Sequence, residues 1–305
     1  MSCRYSSLAV VAAFGAAIGG GAAAQNMSQH APAIPTPLLW SASQQGGEAE
    51  LAQSVSQILN LLNIDAIITI MGEEGREYAV LMDQELFAGQ GLAEWQRVVA
   101  MIYDEASMRQ RFELAFEKAM AQQEGTARQS IAFFAGDIGR RAVALEVAAR
   151  RSLRDPAVEF AAQEQLMALQ TQDSERYDQL QRFARANELV DSNVSGALNA
   201  NFAFLRGLAV ASGAQNALSE QDMLADVWQQ EPDIRAETEA WLYPYLALAY
   251  APLEDAGLAA YVEFSESEAG QGLNHALFAA YDAVFTQISY DLGRAAGRQM
   301  LMQDI

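Results

Sequence analysis

The sequence predicts an all-α protein of two pseudo-repeated helical-bundle halves joined by a long helical segment, and three observations carry that prediction. Residues 48–305 are rich in Ala, Leu, Gln and Glu, which favour helix; they contain few prolines; and no run in them alternates apolar with polar residues as a half-buried strand would. The length suffices for one large helical core or two smaller ones.

The chain opens on a different pattern. Arg4 is the only charge in the first 24 residues, Leu8 to Ile18 is an apolar stretch, and Ala22-Ala23-Ala24 precedes Gln25. A charged start, a short apolar centre and small residues at the end are the parts of a secretory signal, so residues 1–24 are read as a signal peptide cleaved after Ala24 and the protein as periplasmic. The apolar centre is too short to span a bilayer, which needs about 20 residues. Cleavage removes Cys3, the only cysteine, and with it any disulfide or thiolate chemistry. It also removes Arg4, so a formal net charge of −20 becomes one unit more negative. Such an acidic chain lacks the cationic footprint of a nucleic-acid binder, and no stable membrane insertion is expected of the mature form. Residues 25–47 hold three of the seven prolines and no charge before Glu48, and are read as a flexible leader.

Three regions follow: an N-terminal helical half (48–155), connecting helices (156–215) and a C-terminal helical domain (216–305). Asp155-Pro156 pairs a capping carboxylate with a residue whose missing N–H is harmless at a first helical position, so a helix starts there. Ser219 caps EQDMLADVW in the same manner, with Asp222 three residues on. Pro232 and Pro252 mark further starts. Leu273, Leu277, Ala280, Val284, Ile288, Leu292 and Ala295 recur at steps of three and four, the stripe of a long amphipathic last helix.

The stretch VEFSESEAG (262–270) reads as a corner between two helices. Ser267 can accept the N–H of residue 269 or 270, Glu268 faces the positive helix end, and Gly270 marks a place where a neighbouring helix comes too close for a side chain. IAFFAGDIG (131–139) repeats the pattern 131 residues earlier: Phe133 falls on Phe264, Gly136 on Ser267 and Gly139 on Gly270. Ile138, Ala142, Leu145, Ala149 and Leu153 supply the matching stripe.

On Phe264, Ser267 and Gly270, with the helix around Leu258 before them and the long helix after, residues 220–300 resemble the bacterial domain of unknown function 2059, whose mark is a Phe-Tyr, Ser-Pro, Gly junction. Phe133, Gly136 and Gly139 resemble a second, divergent copy. The chain departs from that pattern at Ser265, where an aromatic is usual, and at Glu268 and Asp137, where proline is usual. The resemblance implies an all-helical exported domain and brings no catalytic residue with it.

Chemistry is read mainly by exclusion. His275 is the only histidine after the leader, so with no cysteine the usual zinc ligands are missing, and no catalytic, cofactor-binding or metal residue is assigned. Neither a nucleophile elbow nor a phosphate-binding loop occurs. Arg140-Arg141 and Arg150-Arg151 are placed opposite the apolar stripe, paired with carboxylates across the two copies, with an anionic-ligand site as the alternative; EEGRE (73–77) reads as a solvated helix face; Trp95, Trp228 and Trp241 read as interhelix anchors. The expected role is a non-enzymatic binding or interaction module of the cell envelope, with an envelope protein or a small hydrophobic ligand held between helices as partner and no cofactor. The alternative is a peptidoglycan hydrolase using an acid such as Glu266, although a glycosidase acid needs a raised pKa inside a cleft and a corner is solvated.

Export makes one measurement decisive. The chain produced in a Gram-negative host is expected to begin at or near Gln25 by intact mass; a full-length chain in the membrane fraction would contradict the signal-peptide reading.

Overall fold

The computed structural model describes residues 41–303 apart from 90–91, 122, 124, 173 and 214–218. The predicted signal segment and leader residues 25–40 lie outside the described residues. What is described is all-helical, without a strand: α1 (Ser41–Leu61), α2 (Ile64–Phe87), α3 (Leu92–Ile102), α4 (Glu105–Met120), α5 (Thr126–Ala135), α6 (Asp137–Ser152), α7 (Pro156–Thr171), α8 (Glu175–Ala186), α9 (Leu189–Ser212), α10 (Glu220–Trp228), α11 (Glu231–Tyr250), α12 (Asp255–Glu266) and α13 (Glu268–Gln303).

Several helix starts follow from side-chain chemistry. The Asp155 carboxylate accepts from the Ala157 N–H at 2.9 Å with Pro156 in the first turn, and Ser219 Oγ accepts from the Asp222 N–H at 3.1 Å, both as predicted. Pro232 likewise stands in the first turn of α11. Pro252 differs: it sits in the turn before α12, which begins at Asp255. α1 begins at Ser41, inside the segment read as leader. Residues 41–47 run without a break into the turns that bury Val55, Ile58 and Leu59, and tertiary burial outweighs a weak local preference.

α13, 36 residues long, is the spine. It packs on α9 along most of that helix, then on α4, α5, α12 and α3. The side-chain amide of Asn274 donates to the Asn187 carbonyl at 3.0 Å and that of Asn199 to Asp282 at 2.9 Å, so α9 and α13 run parallel in constant register. Small residues let them approach. A Cβ on Gly293 would lie 2.0 Å from the Phe204 carbonyl oxygen, and one on Gly207 2.1 Å from that of Tyr290. Because it is surrounded, α13 buries far more than the predicted stripe: Phe278, Tyr281, Phe285, Ser289 and Ala296 are buried too.

The connecting stretch is not a spacer. α9 is the main partner of α13, and Leu180, Phe183, Ala184 and Leu189 belong to one apolar core that runs from Val55 to Ala296. A small satellite of Val194, Leu198, Val227 and Ile234 seals α10 and α11 onto α9. No single helix among the described residues is long and apolar enough to cross a membrane; α1 and α2 reach that mark only as a pair bent by 61°, and their apolar residues lie in the core.

The two predicted corners have the same backbone. Gly136 joins α5 to α6 at φ −73°, ψ 166°, and Ser267 joins α12 to α13 at φ −72°, ψ 157°. Ser267 Oγ accepts from the Gly270 N–H at 3.1 Å and donates to the Phe264 carbonyl at 2.6 Å, so one hydroxyl joins the end of one helix to the start of the next. What crowds Gly270 is the preceding helix in the chain, not a separate passing helix: its Cβ would fall 2.0 Å from the Phe264 carbonyl oxygen, and that of Gly139 2.5 Å from the Phe133 oxygen. The corners also meet, with the Phe133 and Phe264 rings stacked at 4.2 Å between centroids and 7° between planes.

These distances order the expected costs. Ser267→Ala loses a cap and should cost about 1 kcal/mol in urea unfolding. Gly270→Ala should cost more, within the roughly 1–3 kcal/mol typical of overpacking, and Gly139→Ala less than Gly270→Ala because its clearance is greater. A Gly270→Ala protein as stable as the parent would contradict the tight corner.

Candidate functional site

A pocket opens where α2, α6, α7 and α11 converge, beside the turn that carries Tyr103. It holds about 380 Å³ and is lined by Met71, Glu74, Gly75, Tyr78, Tyr103, Arg150, Leu153, Arg154, Glu159, Gln163, Ala240, Trp241, Pro244, Tyr245 and Phe285. That is within the usual range for small-molecule pockets, and five aromatic rings among apolar side chains with a few polar groups are the usual composition.

Each wall has a local cause. EEGRE carries its glycine because Tyr103 lies flat on that turn of α2: a Cβ on Gly75 would fall 2.2 Å from the ring. Its acids are not a solvated face, as the sequence had suggested, but ion-pair partners of α6 and the turn after it. Arg150 grips Glu74 through two bonds, Nε at 3.2 Å and Nη2 at 2.6 Å; Arg154 reaches Glu73 at 2.6 Å and also Glu77. On the opposite wall Pro244 interrupts α11, so the carbonyl of Ala240, another lining residue, lacks the N–H that a regular helix would supply. Trp241, one residue on, is half-buried and tilted against Tyr245, their ring centroids 6.3 Å apart.

Below this pocket lies a buried carboxyl that the sequence reading missed. Glu146 of α6 is 6% exposed; Tyr250 Oη donates to its Oε1 at 2.7 Å, and Tyr261 is a second hydroxyl donor. Tyr245, a pocket wall, points its hydroxyl at the Glu146 backbone carbonyl, 3.4 Å away. Burial in this apolar setting pushes the carboxyl up to about 7, against the two tyrosine bonds, which lower it. Glu146 also lines a smaller cavity of about 40 Å³ under the second corner, with Ser265, Gly270, Asn274 and Tyr281. It was overlooked because the predicted stripe of α6 passes through Ala142, Leu145 and Ala149, whereas the buried face is rotated to take in Val143, Glu146, Val147 and Arg150. A search for ionisable residues at three and four residue steps from Ala142 and Val143 would have found both Glu146 and Arg150.

The residues singled out in the sequence are arranged as follows. Phe133, Gly136, Gly139, Phe264, Ser267 and Gly270 come together as the paired corners, of which only Phe264 and Gly270 border a cavity, the small one. Of the four arginines placed opposite the stripe, Arg150 is instead buried. The carboxylate pairs do not cross between the halves: Arg140 pairs with Asp137 on its own helix at 2.6 Å and Arg150 with Glu74 of the same half, while Arg141 donates to the Pro252 carbonyl at 2.8 Å. Trp95 is an anchor, 1% exposed with its indole N–H on the Ala79 carbonyl at 2.8 Å. Trp228 is not: α10 turns Met223 and Val227 inward, which leaves the next position, Trp228, 58% exposed. His275 is half-buried on α13, and no group of three metal-ligating side chains occurs among the described residues. Glu266 lies at the surface with both oxygens on Arg182, which holds its carboxyl below the ordinary range. A general acid needs the opposite shift.

No protein-family model, curated protein or solved structure matches this chain.

Glu146 gives the protein an unusual pH dependence. Its folded pKa, about 7, lies above the ordinary 4.5, so the folded state keeps a proton that the unfolded chain has lost between those values. The stability this contributes is complete below about pH 4.5 and falls as the pH rises towards 7, by about 3 kcal/mol if the whole interval counts. Glu146→Gln should remove that fall. Urea unfolding at pH 5 and pH 8 should show a larger difference for the parent than for the variant; equal differences would contradict a buried protonated carboxyl.

Proposed function

We propose that this is an exported, periplasmic, non-enzymatic binding module of the cell envelope, and that it holds a small, largely apolar ligand in the pocket between α2, α6, α7 and α11. The observation that carries the reading is the pocket itself. Folded interiors are close-packed, and a space of 380 Å³ walled by Tyr78, Tyr103, Trp241, Tyr245 and Phe285 forgoes contacts that a ligand would restore. Export rests on the signal-like first 24 residues. The hydrolase alternative loses support from Glu266, whose bidentate pairing with Arg182 suits a surface ion pair.

The paired corners bear on ancestry. We read Gly136 with Gly139 and Ser267 with Gly270 as one motif used twice, related by duplication and akin to the bacterial domain of unknown function 2059. The near-identical backbone angles and the shared closeness of glycine to a phenylalanine carbonyl support that reading.

Native mass spectrometry of the protein purified from the periplasm is expected to show a small molecule that organic solvent extracts. Trp241→Ala, which strips one pocket wall, should lower its occupancy severalfold while the helical circular dichroism spectrum is kept. Extraction of nothing, with no thermal stabilisation by any small apolar compound offered, would remove this reading.

A further inference from the structure

We infer that the pocket selects an organic cation, an ammonium group carried on an apolar body of up to drug size; the inference rests on the binding function proposed above and specifies its ligand. Three features converge on a cation.

The first is which polar groups remain uncommitted. The pocket's guanidinium donors are engaged: Arg150 holds Glu74 in two bonds, and Arg154 is shared between Glu73 and Glu77. The acceptors are not. Glu159 of α7 makes no ion pair among the described residues, and the Ala240 carbonyl has lost its helical donor to Pro244. A ligand entering here meets a carboxylate without an ion pair beside guanidiniums already paired, the reverse of an anion site.

The second is net charge. The two arginines are outnumbered by Glu73, Glu74, Glu77 and Glu159, so the site and its immediate partners carry two excess negative charges, within a chain of formal charge −20. Such a field concentrates cations at the pocket mouth. The third is the walls. Aromatic faces attract ammonium groups electrostatically, and Trp241 with Tyr245 makes a tilted pair at the pocket. A purely apolar ligand would explain the rings but not the open acceptors; an anion would explain neither.

Three near-isosteric probes separate these cases: 2-phenylethylammonium, 2-phenylethanol and 3-phenylpropionate, each titrated calorimetrically into the full mature protein at pH 7.5. The cation is expected to bind about tenfold more tightly than the alcohol, and the carboxylate more weakly than either. Glu159→Gln, at an exposed position on α7, should lower affinity for the cation about threefold to tenfold and leave that for the alcohol unchanged, with the same melting temperature as the parent. Equal affinity for cation and alcohol would overturn the inference while leaving an apolar binding pocket in place. Tightest binding of the carboxylate would overturn it in favour of recognition by the arginines. No binding of any probe would count against both the inference and the pocket function on which it rests.

Discussion

How closely one helix can turn back on the last sets the rest of this molecule. At both corners the chain leaves a helix through a single extended residue and begins the next at once. The glycine three residues on then lies against the phenylalanine carbonyl that ended the first helix. With no Cβ there, the first turns of α6 and α13 lie directly against the last turns of α5 and α12. Phe133 then stacks on Phe264, and the two corners lock face to face. From that contact α13 runs out as the spine on which α9 and α4 pack, while α6 carries its buried face to α2 and α11. A side chain at either glycine would push apart helices on both sides of the stack.

The same placement explains why a carboxyl sits in the core. α6 leaves its corner with Glu146 facing inward, where it makes no ion pair among the described residues and the donors are the hydroxyls of Tyr250 and Tyr261. One turn later Arg150 also points inward, but Glu74 of α2 meets it in a bidentate pair. Two buried ionisable groups on one helix thus have different solutions: one is met by tyrosine hydroxyls with its pKa raised by burial, the other by a counter-ion. The raised pKa reflects the cost of an unpaired charge in that place, and with it comes a stability that declines towards neutral pH.

Much of this was legible in the residues, and the misses have physical reasons. Local chemistry was readable: Asp155 and Ser219 cap as their spacing implied, the corners fall at Gly136 and Ser267, and the all-helical composition holds. Facing was harder. The stripe of α6 was drawn through its apolar residues, and because a helix can bury polar groups that find partners elsewhere, the true face was rotated onto Glu146 and Arg150. The pocket was not legible. Its walls come from distant segments, so EEGRE looked like a solvated run until Arg150 and Arg154, far along the chain, were brought against it. Gly75 and Pro244 did leave a trace, since each is disfavoured within a helix and each marks a wall.

Those two residues also explain why the pocket stays open. Gly75 lets the Tyr103 ring lie flat on α2 and so recedes the wall on that side, while Pro244 interrupts the hydrogen-bond ladder of α11 on the other. Between them the Arg150–Glu74 and Arg154 pairs brace α6 against α2; collapsing the space would mean breaking ion pairs of which one is largely withdrawn from water. An apolar residue at position 150 would leave only the more exposed Arg154 pairs across that span. The ion pairs thus stand along the α2–α6 edge of the pocket, and the arginines that make them are committed to Glu73, Glu74 and Glu77.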